Sequence, residues 1–148
     1  MKQFKALYEA TMWNFIYKKN KGIFYRGVGK SGQGTGVGII GAGIYLTWSE
    51  SMADAFAKRQ GAGSEVKKYK IKKNVKMVDA GGFANSDQDF IDVKAMMGFE
   101  PHQNAGNDPM FAKMLTSMLK EKGYDGVVHD DVATGIVIFD KKNVKEVK

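Results

Sequence analysis

The segment Gly43–Phe56 most constrains how this chain can fold, because it predicts a short β-strand that runs directly into a helix. Tyr45 lies in the strand, and Phe56 lies on the helix eleven residues later. Tyr25-Arg26-Gly27 upstream and Gly135 to Asp140 downstream belong to two further predicted strands. Taken together, these segments predict a cleft for a flat aromatic ligand.

The remaining elements are predicted from hydrophobic periodicity, caps and turn residues. Residues 1–22 predict an N-terminal helix that ends at Gly22, and residues 27–43 are glycine-rich and predict a mobile loop outside the core. Ser49 or Thr47 can cap the helix that carries Phe56. The other predictions are strands at Ile23–Val28, Tyr124–Val128 and Ile136–Phe139, a pair of strands within Val66–Val78, and helices near Asp87–Met97 and after Asp108-Pro109.

Composition bounds the class of protein. A chain of 148 residues with 43% hydrophobic residues predicts one globular domain, and strands and helices that do not alternate regularly predict an α+β fold. No apolar run approaches the roughly 20 residues of a membrane span, so no membrane association is expected. The chain has no cysteine, and His102 and His129 are far apart, so no metal site is expected. The expected compartment is a reducing one, the cytoplasm.

The formal net charge of +7 favours an anionic partner. Much of this charge lies in a run that comprises Lys67, Lys68, Lys70, Lys72, Lys73 and Lys76. Two explanations stay open. Lysine on the edge strand of a sheet discourages edge-to-edge pairing, and a lysine-rich face can also attract nucleic acid or phosphate.

The order and spacing of three of these segments resemble the ADP-ribosyltransferase superfamily. They are Tyr25-Arg26-Gly27, Gly43 to Thr47 with Phe56 eleven residues after Tyr45, and Gly135 to Asp140. The likeness is to the catalytic domain of the poly(ADP-ribose) polymerases and equally to small bacterial and phage ADP-ribosyltransferases. It covers residues 23–60 well and residues 120–147 moderately. The resemblance implies split antiparallel β-sheets with flanking helices, and NAD as the substrate.

The resemblance also implies roles for particular residues. Tyr45 and Phe56 would hold the nicotinamide ring between them, and Gly27 would bind its carboxamide through the main chain. Arg26 occupies the position of the first-motif histidine or arginine and would contact the diphosphate or a ribose of NAD. Thr47 resembles the hydroxyl residue of the second motif, which supports Arg26 or the ribose.

The chain departs from the family at the acid. Relatives place a glutamate at the start of the last-motif strand, where it stabilises an oxocarbenium-like transition state. The corresponding residue of this chain is Gly135. Asp130 and Asp131, in the preceding turn, are the nearest candidates for that role.

The sequence therefore predicts a mono-ADP-ribosyltransferase that moves ADP-ribose from NAD to a protein or nucleic-acid acceptor. A bacterial or phage effector, toxin-like and active in a bacterial cytosol, fits the resemblance. An alternative is a weak or inactive transferase-like module that binds NAD, ADP-ribose, nucleic acid or a protein partner. RNA 2'-phosphotransfer is a third reading, although the motifs place Arg26 alone of the basic residues that it needs.

Overall fold

Two β-sheets that share a hydrophobic core form the framework of the molecule. The computed structural model describes residues 13–28, 37–38, 40–61, 63–80, 87–100, 108–129 and 135–148. Residues 13–19 belong to helix α1. The other elements are β1 (Ile23–Val28), β2 (Val37–Gly38), β3 (Gly41–Ala42), β4 (Ile44–Leu46), α2 (Glu50–Arg59), β5 (Glu65–Ile71), β6 (Met77–Asp79), α3 (Gln88–Met96), α4 (Pro109–Glu121), β7 (Gly126–Val128), β8 (Ile136–Ile138), a 3₁₀ turn (Lys141–Asn143) and β9 (Val144–Val147).

The three-stranded sheet has the order β1-β5-β9, and all its neighbours are antiparallel. The four-stranded sheet has the order β4-β8-β7-β6, in which β6 and β7 run parallel. Strands β2 and β3 form a separate antiparallel ribbon. The predicted α+β class is therefore confirmed.

Strands β5 and β6 are the predicted pair within Val66–Val78, but they do not pair with each other. Strand β5 is the central strand of one sheet, and β6 lies at the edge of the other. The prediction that the lysine run lies on a strand edge is therefore wrong for β5.

Alternation along the strands divides the core into two clusters. Leu46, Ile136 and Ile138 face an inter-sheet cluster that also contains Phe24 and Ile71 of the three-stranded sheet. The intervening residues of the four-stranded sheet face the other way, into a helix-side cluster with α3 and α4. This second cluster comprises Ile40, Val78, Ala80, Phe90, Val93, Phe111, Leu115, Leu119, Tyr124, Val127 and Val137.

The glycine-rich segment is not wholly outside the core. Ile40 is 2% exposed and belongs to the helix-side cluster, and Gly27 and Val28 belong to β1. The prediction of a loop over residues 27–43 is therefore wrong at both of its ends. The residues between 28 and 37 lie outside the described part of the chain.

Caps define where the helices begin. The side chains of Ser49, Asp87 and Asp108 accept hydrogen bonds from amides in the first turns of α2, α3 and α4. In α4, Pro109 occupies the first turn, where its missing N–H costs no hydrogen bond. Of the two predicted caps for α2, Ser49 is the one used.

Candidate functional site

The three motif segments meet where the two sheets join. The main-chain groups of Tyr25 and Thr47 exchange two hydrogen bonds, of 2.8 and 2.9 Å, and this bridge links β1 to the end of β4. Gly135 abuts the same place, because a Cβ atom on it would lie 2.2 Å from the Leu46 carbonyl oxygen. Residues that are 110 positions apart in the sequence thus form one junction.

The edge of β1 beyond this junction carries the main-chain groups of Gly27. In an antiparallel ladder, successive residues direct their N–H and C=O groups to opposite sides of the strand. The Ile71 amide donates to the Gly22 carbonyl (3.0 Å), and Tyr25 bonds to Thr47, so the odd-numbered residues of β1 point away from β5. Gly27 therefore directs its N–H and C=O toward the same side as Tyr25, and its carbonyl accepts a long hydrogen bond from Gln60 Nε2 (3.4 Å).

Helix α2 packs on β1 at Gly27, where a side chain has no room. A Cβ atom on Gly27 would lie 2.2 Å from the Ala53 carbonyl oxygen and 2.7 Å from the Ala57 amide nitrogen. It would also lie 3.2 Å from Phe56 Cβ. The close approach of helix and strand thus brings together Gly27 and Phe56, two of the predicted ligand-binding residues.

The ring of Phe56 is half-buried, and the Arg59 guanidinium lies 5.6 Å from its centroid. This geometry is that of a cation–π contact. Arg59 stands one turn after Phe56 on α2 and is itself exposed. Phe56, with the Arg59 cation over its ring, therefore lies beside Gly27.

Arg26 is half-buried and projects from the face of β1 opposite to Gly27, as alternation requires. Its register partner is Lys67, which instead forms an ion pair with Glu146 (3.3 Å). Within the described residues, Arg26 itself has no carboxylate partner. Its guanidinium, which stays charged at any physiological pH, is thus available to an anionic group.

The structure does not bring Tyr45 to Phe56. Tyr45 is paired with Val137 and packs against the helix-side cluster, while Phe56 lies on α2 over the other sheet. The Tyr45 hydroxyl donates to the Gly41 carbonyl (2.6 Å), and burial raises the pKa of this phenol. The two facing rings expected from the sequence are therefore not seen among the described contacts.

Thr47 has a local structural role. It is 4% exposed, and its Oγ1 accepts a hydrogen bond from the Ser49 amide (3.2 Å) where the chain turns from β4 into α2. Its main chain holds the bridge to Tyr25. Thr47 thus fixes the geometry of the junction, and its predicted support of Arg26 or a ribose stays a prediction.

Gly135 leaves no room for a side chain. Its φ angle is +70°, in the left-handed region that favours glycine, and the Leu46 carbonyl occupies the space of a side chain. A glutamate at this position would require the backbone to move. Asp130 and Asp131 lie outside the described residues, between His129 and Gly135, whose main chains are joined by a 2.9 Å hydrogen bond.

Sequence reasoning missed two features. Gln60 follows α2 and reaches the Gly27 carbonyl, and the cap position of a helix gave no signal for that contact. A separate groove of about 620 Å³ lies between α4 and the β3–β4 turn. It is lined by Ala42, Gly43, Lys113, Thr116, Ser117, Lys120, Glu121 and Phe139.

The described residues contain no group of three or more His, Asp and Glu side chains placed to hold a metal ion. No helix in the described ranges is long and apolar enough to cross a membrane. Comparison of the chain with protein-family models, curated proteins and solved structures gave no match.

Proposed function

We propose that this protein is a mono-ADP-ribosyltransferase that uses NAD and has the split-sheet fold of that superfamily. The observation that carries the proposal is the junction, where Tyr25-Arg26-Gly27, Leu46-Thr47 and Gly135 meet although they are far apart in the sequence. These segments are the ones whose order resembles the superfamily. Their convergence is what a shared ligand site requires.

In this proposal the nicotinamide ring lies on Phe56, and its carboxamide bonds to the main chain of Gly27. Both groups stand at one place on the edge of β1, and the carboxamide has the donor and the acceptor that match a peptide N–H and C=O. Phe56 supplies one aromatic wall. Tyr45, which packs on the other side of the four-stranded sheet, supports the junction and does not form a second wall.

Arg26 then contacts the diphosphate or the ribose of NAD. Because Arg26 and Gly27 project from opposite faces of β1, a ligand that reaches both must cross the edge of the strand in a bent conformation. An acceptor nucleophile attacks the anomeric carbon, the bond from that carbon to the nicotinamide nitrogen breaks, and neutral nicotinamide leaves. Asp130 or Asp131 is the proposed acid that stabilises the developing positive charge.

One observation favours a second candidate, a module that binds NAD or ADP-ribose without turnover. This chain has Gly135 at the position where the superfamily has a glutamate. The backbone and the surroundings of Gly135 leave no space for a glutamate side chain. Chemistry at this junction therefore depends on a residue outside the family's usual position. If neither aspartate supplies it, the edge of β1 still presents a binding site.

Two measurements on the same variants separate these candidates. Binding of NAD is followed by saturation-transfer NMR, and nicotinamide release is followed by chromatography with added protein and oligonucleotide acceptors. Replacing Phe56 by Ala should weaken NAD binding about fivefold, since an aromatic contact contributes about 1 kcal/mol. The matched control is Phe15→Ala, which truncates a ring that is 65% exposed on α1.

Replacing Arg26 by Ala should lower both binding and release, whereas Lys18→Ala, an exposed cation on α1, should lower neither. Replacing Asp131 or Asp130 by Asn should lower release and leave binding unchanged, if that residue is the acid. Binding without release under every acceptor condition would support the non-catalytic module. The proposed site would be rejected if neither NAD binding nor nicotinamide release were detected. It would also be rejected if Arg26→Ala and Phe56→Ala left nicotinamide release unchanged.

A further inference from the structure

The register of the three-stranded sheet sorts its charges between the two faces. Residues that are paired across an antiparallel ladder share a face. Glu65 pairs with Val28, and Glu146 pairs with Tyr69, so both glutamates lie on the face of Phe24 and the inter-sheet cluster. Lys67 is on that same face, where it is bound to Glu146.

The opposite face carries three lysines and no acidic residue of these strands. Lys68 pairs with Tyr25 on one side and Val147 on the other, and Lys70 pairs directly with Lys145. All three lysines are exposed. We define Lys68, Lys70 and Lys145, with Tyr25 among them, as the lysine face.

Protection of a sheet edge accounts for Lys145 on the edge strand β9 but not for Lys68 and Lys70, which lie on the central strand β5. The lysine face also does not stabilise the sheet. Like charges directly opposite each other on a sheet are destabilising, and Lys70 faces Lys145. A polyanion would remove this repulsion.

We propose that the lysine face binds single-stranded nucleic acid. Two lysines on one strand at alternate positions stand about 7 Å apart, which is close to the spacing of successive phosphates in an extended single strand. Tyr25 is half-buried on the same face, directly opposite Lys68, and in this proposal its ring stacks with a base. Val147, which is 40% exposed, continues the apolar strip across Lys68. Helix α2 packs on this face at Gly27, and the exposed lysines lie further along the strands. Cations interleaved with apolar side chains fit a single strand better than an acidic protein surface.

The inference does not depend on NAD, so the test is made without it. Binding of a fluorescein-labelled oligothymidylate to the full chain is measured by anisotropy at about 50 and about 200 mM salt, over which contacts to phosphate weaken steeply. The test variant is K68Q/K70Q/K145Q, which removes three charges and keeps most of each side chain. The matched control is K113Q/K120Q/K122Q, which removes three exposed charges at α4.

Each lysine–phosphate contact contributes about 0.7 to the logarithmic salt slope for a single strand. The salt slope of the test variant should therefore be about two units smaller than that of the wild type. Between the two salt concentrations, the fold-loss of affinity should then be about 20 times smaller for the variant than for the wild type. The control should keep the wild-type slope. Tyr25→Leu should weaken binding about fivefold or more, as expected for the loss of one stacked base.

Three outcomes would overturn the proposal. Equal slopes for the test and control variants would mean that net charge alone drives binding. Polyglutamate that binds as tightly as the oligonucleotide would assign the face to an acidic protein. Duplex DNA bound as tightly as the single strand, with no effect of Tyr25→Leu, would remove the single-strand preference. Thermal unfolding without nucleic acid checks the folding of each variant, and Lys70→Gln should not lower the midpoint, because it removes a repulsion.

Discussion

Replacement of Gly135 should destabilise the fold, because its backbone is left-handed and its surroundings are closed. A residue other than glycine at φ +70° pays about 1–2 kcal/mol for the left-handed conformation. Its Cβ would lie 2.2 Å from the Leu46 carbonyl oxygen, and relieving such an overlap costs typically about 1–3 kcal/mol. Replacing Gly135 by Ala should therefore lower the free energy of unfolding by about 2–5 kcal/mol, a large part of the total for a domain of this size.

Gly98→Ala is the matched control. Gly98 also has a positive φ angle, of +87°, but nothing lies within 4 Å of the position of its Cβ atom. Its replacement should cost only the backbone contribution, about 1–2 kcal/mol. The difference between the two variants in urea unfolding, with equal m-values, isolates the contact with Leu46.

Gly135→Glu extends the prediction to function. It introduces a glutamate at the position where the resemblance implies one, but the same overlap should destabilise the fold and move the junction. We therefore expect no gain in nicotinamide release. A Gly135→Ala variant as stable as Gly98→Ala would contradict the predicted overlap with Leu46. A Gly135→Glu variant that folds normally and releases nicotinamide faster would show that the site has room for a glutamate.

Further predictions concern the core, a cap and acid stability. Phe24→Ala should lower the free energy of unfolding by about 3–5 kcal/mol, because the ring is fully buried between the sheets, as urea unfolding would show. Ser49→Ala should cost about 1 kcal/mol by removing the cap of α2, and Ser49→Gly only a few tenths, in the same assay. The hydrogen bond from the Lys142 amide holds the pKa of Asp140 below its usual value of 3.8. The ionised carboxylate therefore stabilises the fold above about pH 4, and this stabilisation is lost as the pH falls through the lower pKa of the folded state. Asp140→Asn should remove that part of the acid dependence of the thermal midpoint. An unchanged dependence would show that the Asp140 carboxylate does not stabilise the 3₁₀ turn as its cap.

Elements that depend on local signals were predictable from the sequence. The cap at Ser49, the Asp108-Pro109 start of α4 and the glycine at residue 22 act within a few residues, so the sequence contains the whole cause. The strands β1, β4 and β8 were likewise found near their observed bounds. Their apolar residues and flanking turns are local too.

Strand pairing was not predictable in the same way, because it is decided by residues far apart in the chain. A strand edge was one of two explanations for the lysine run, but β5 has β9, from the C-terminal end of the sequence, as its second neighbour. Ile40 entered the core from a glycine-rich segment for a similar reason, since α3 and α4 build the cluster that receives it. Local composition contains neither of these partners.

For the candidate site, the sequence assigned Gly27 and Phe56 to one ligand, and the structure shows them close together through the packing of α2 on β1. Their binding of a ligand stays a prediction. The error at Tyr45 came from treating two aromatic residues as a pair on spacing alone. Alternation along β4 shows that Tyr45 faces opposite to Leu46, and since Leu46 is in the inter-sheet cluster, Tyr45 must point to the helix side.

The divergence of the two sheets at the Tyr25–Thr47 bridge is what makes a site at the edge of β1 physically consistent. In the antiparallel register that this bridge sets, Gly27 lies opposite Tyr45, but the described residues show no main-chain hydrogen bond between the two. Strand β4 pairs with β8 on its other side, and after Thr47 the chain turns into α2, a turn that the Thr47 hydroxyl and the Ser49 cap stabilise. Helix α2 then packs back on β1 at Gly27, which brings Phe56 beside it. The split between the sheets therefore leaves the main-chain groups of Gly27 outside a ladder, next to an aromatic ring.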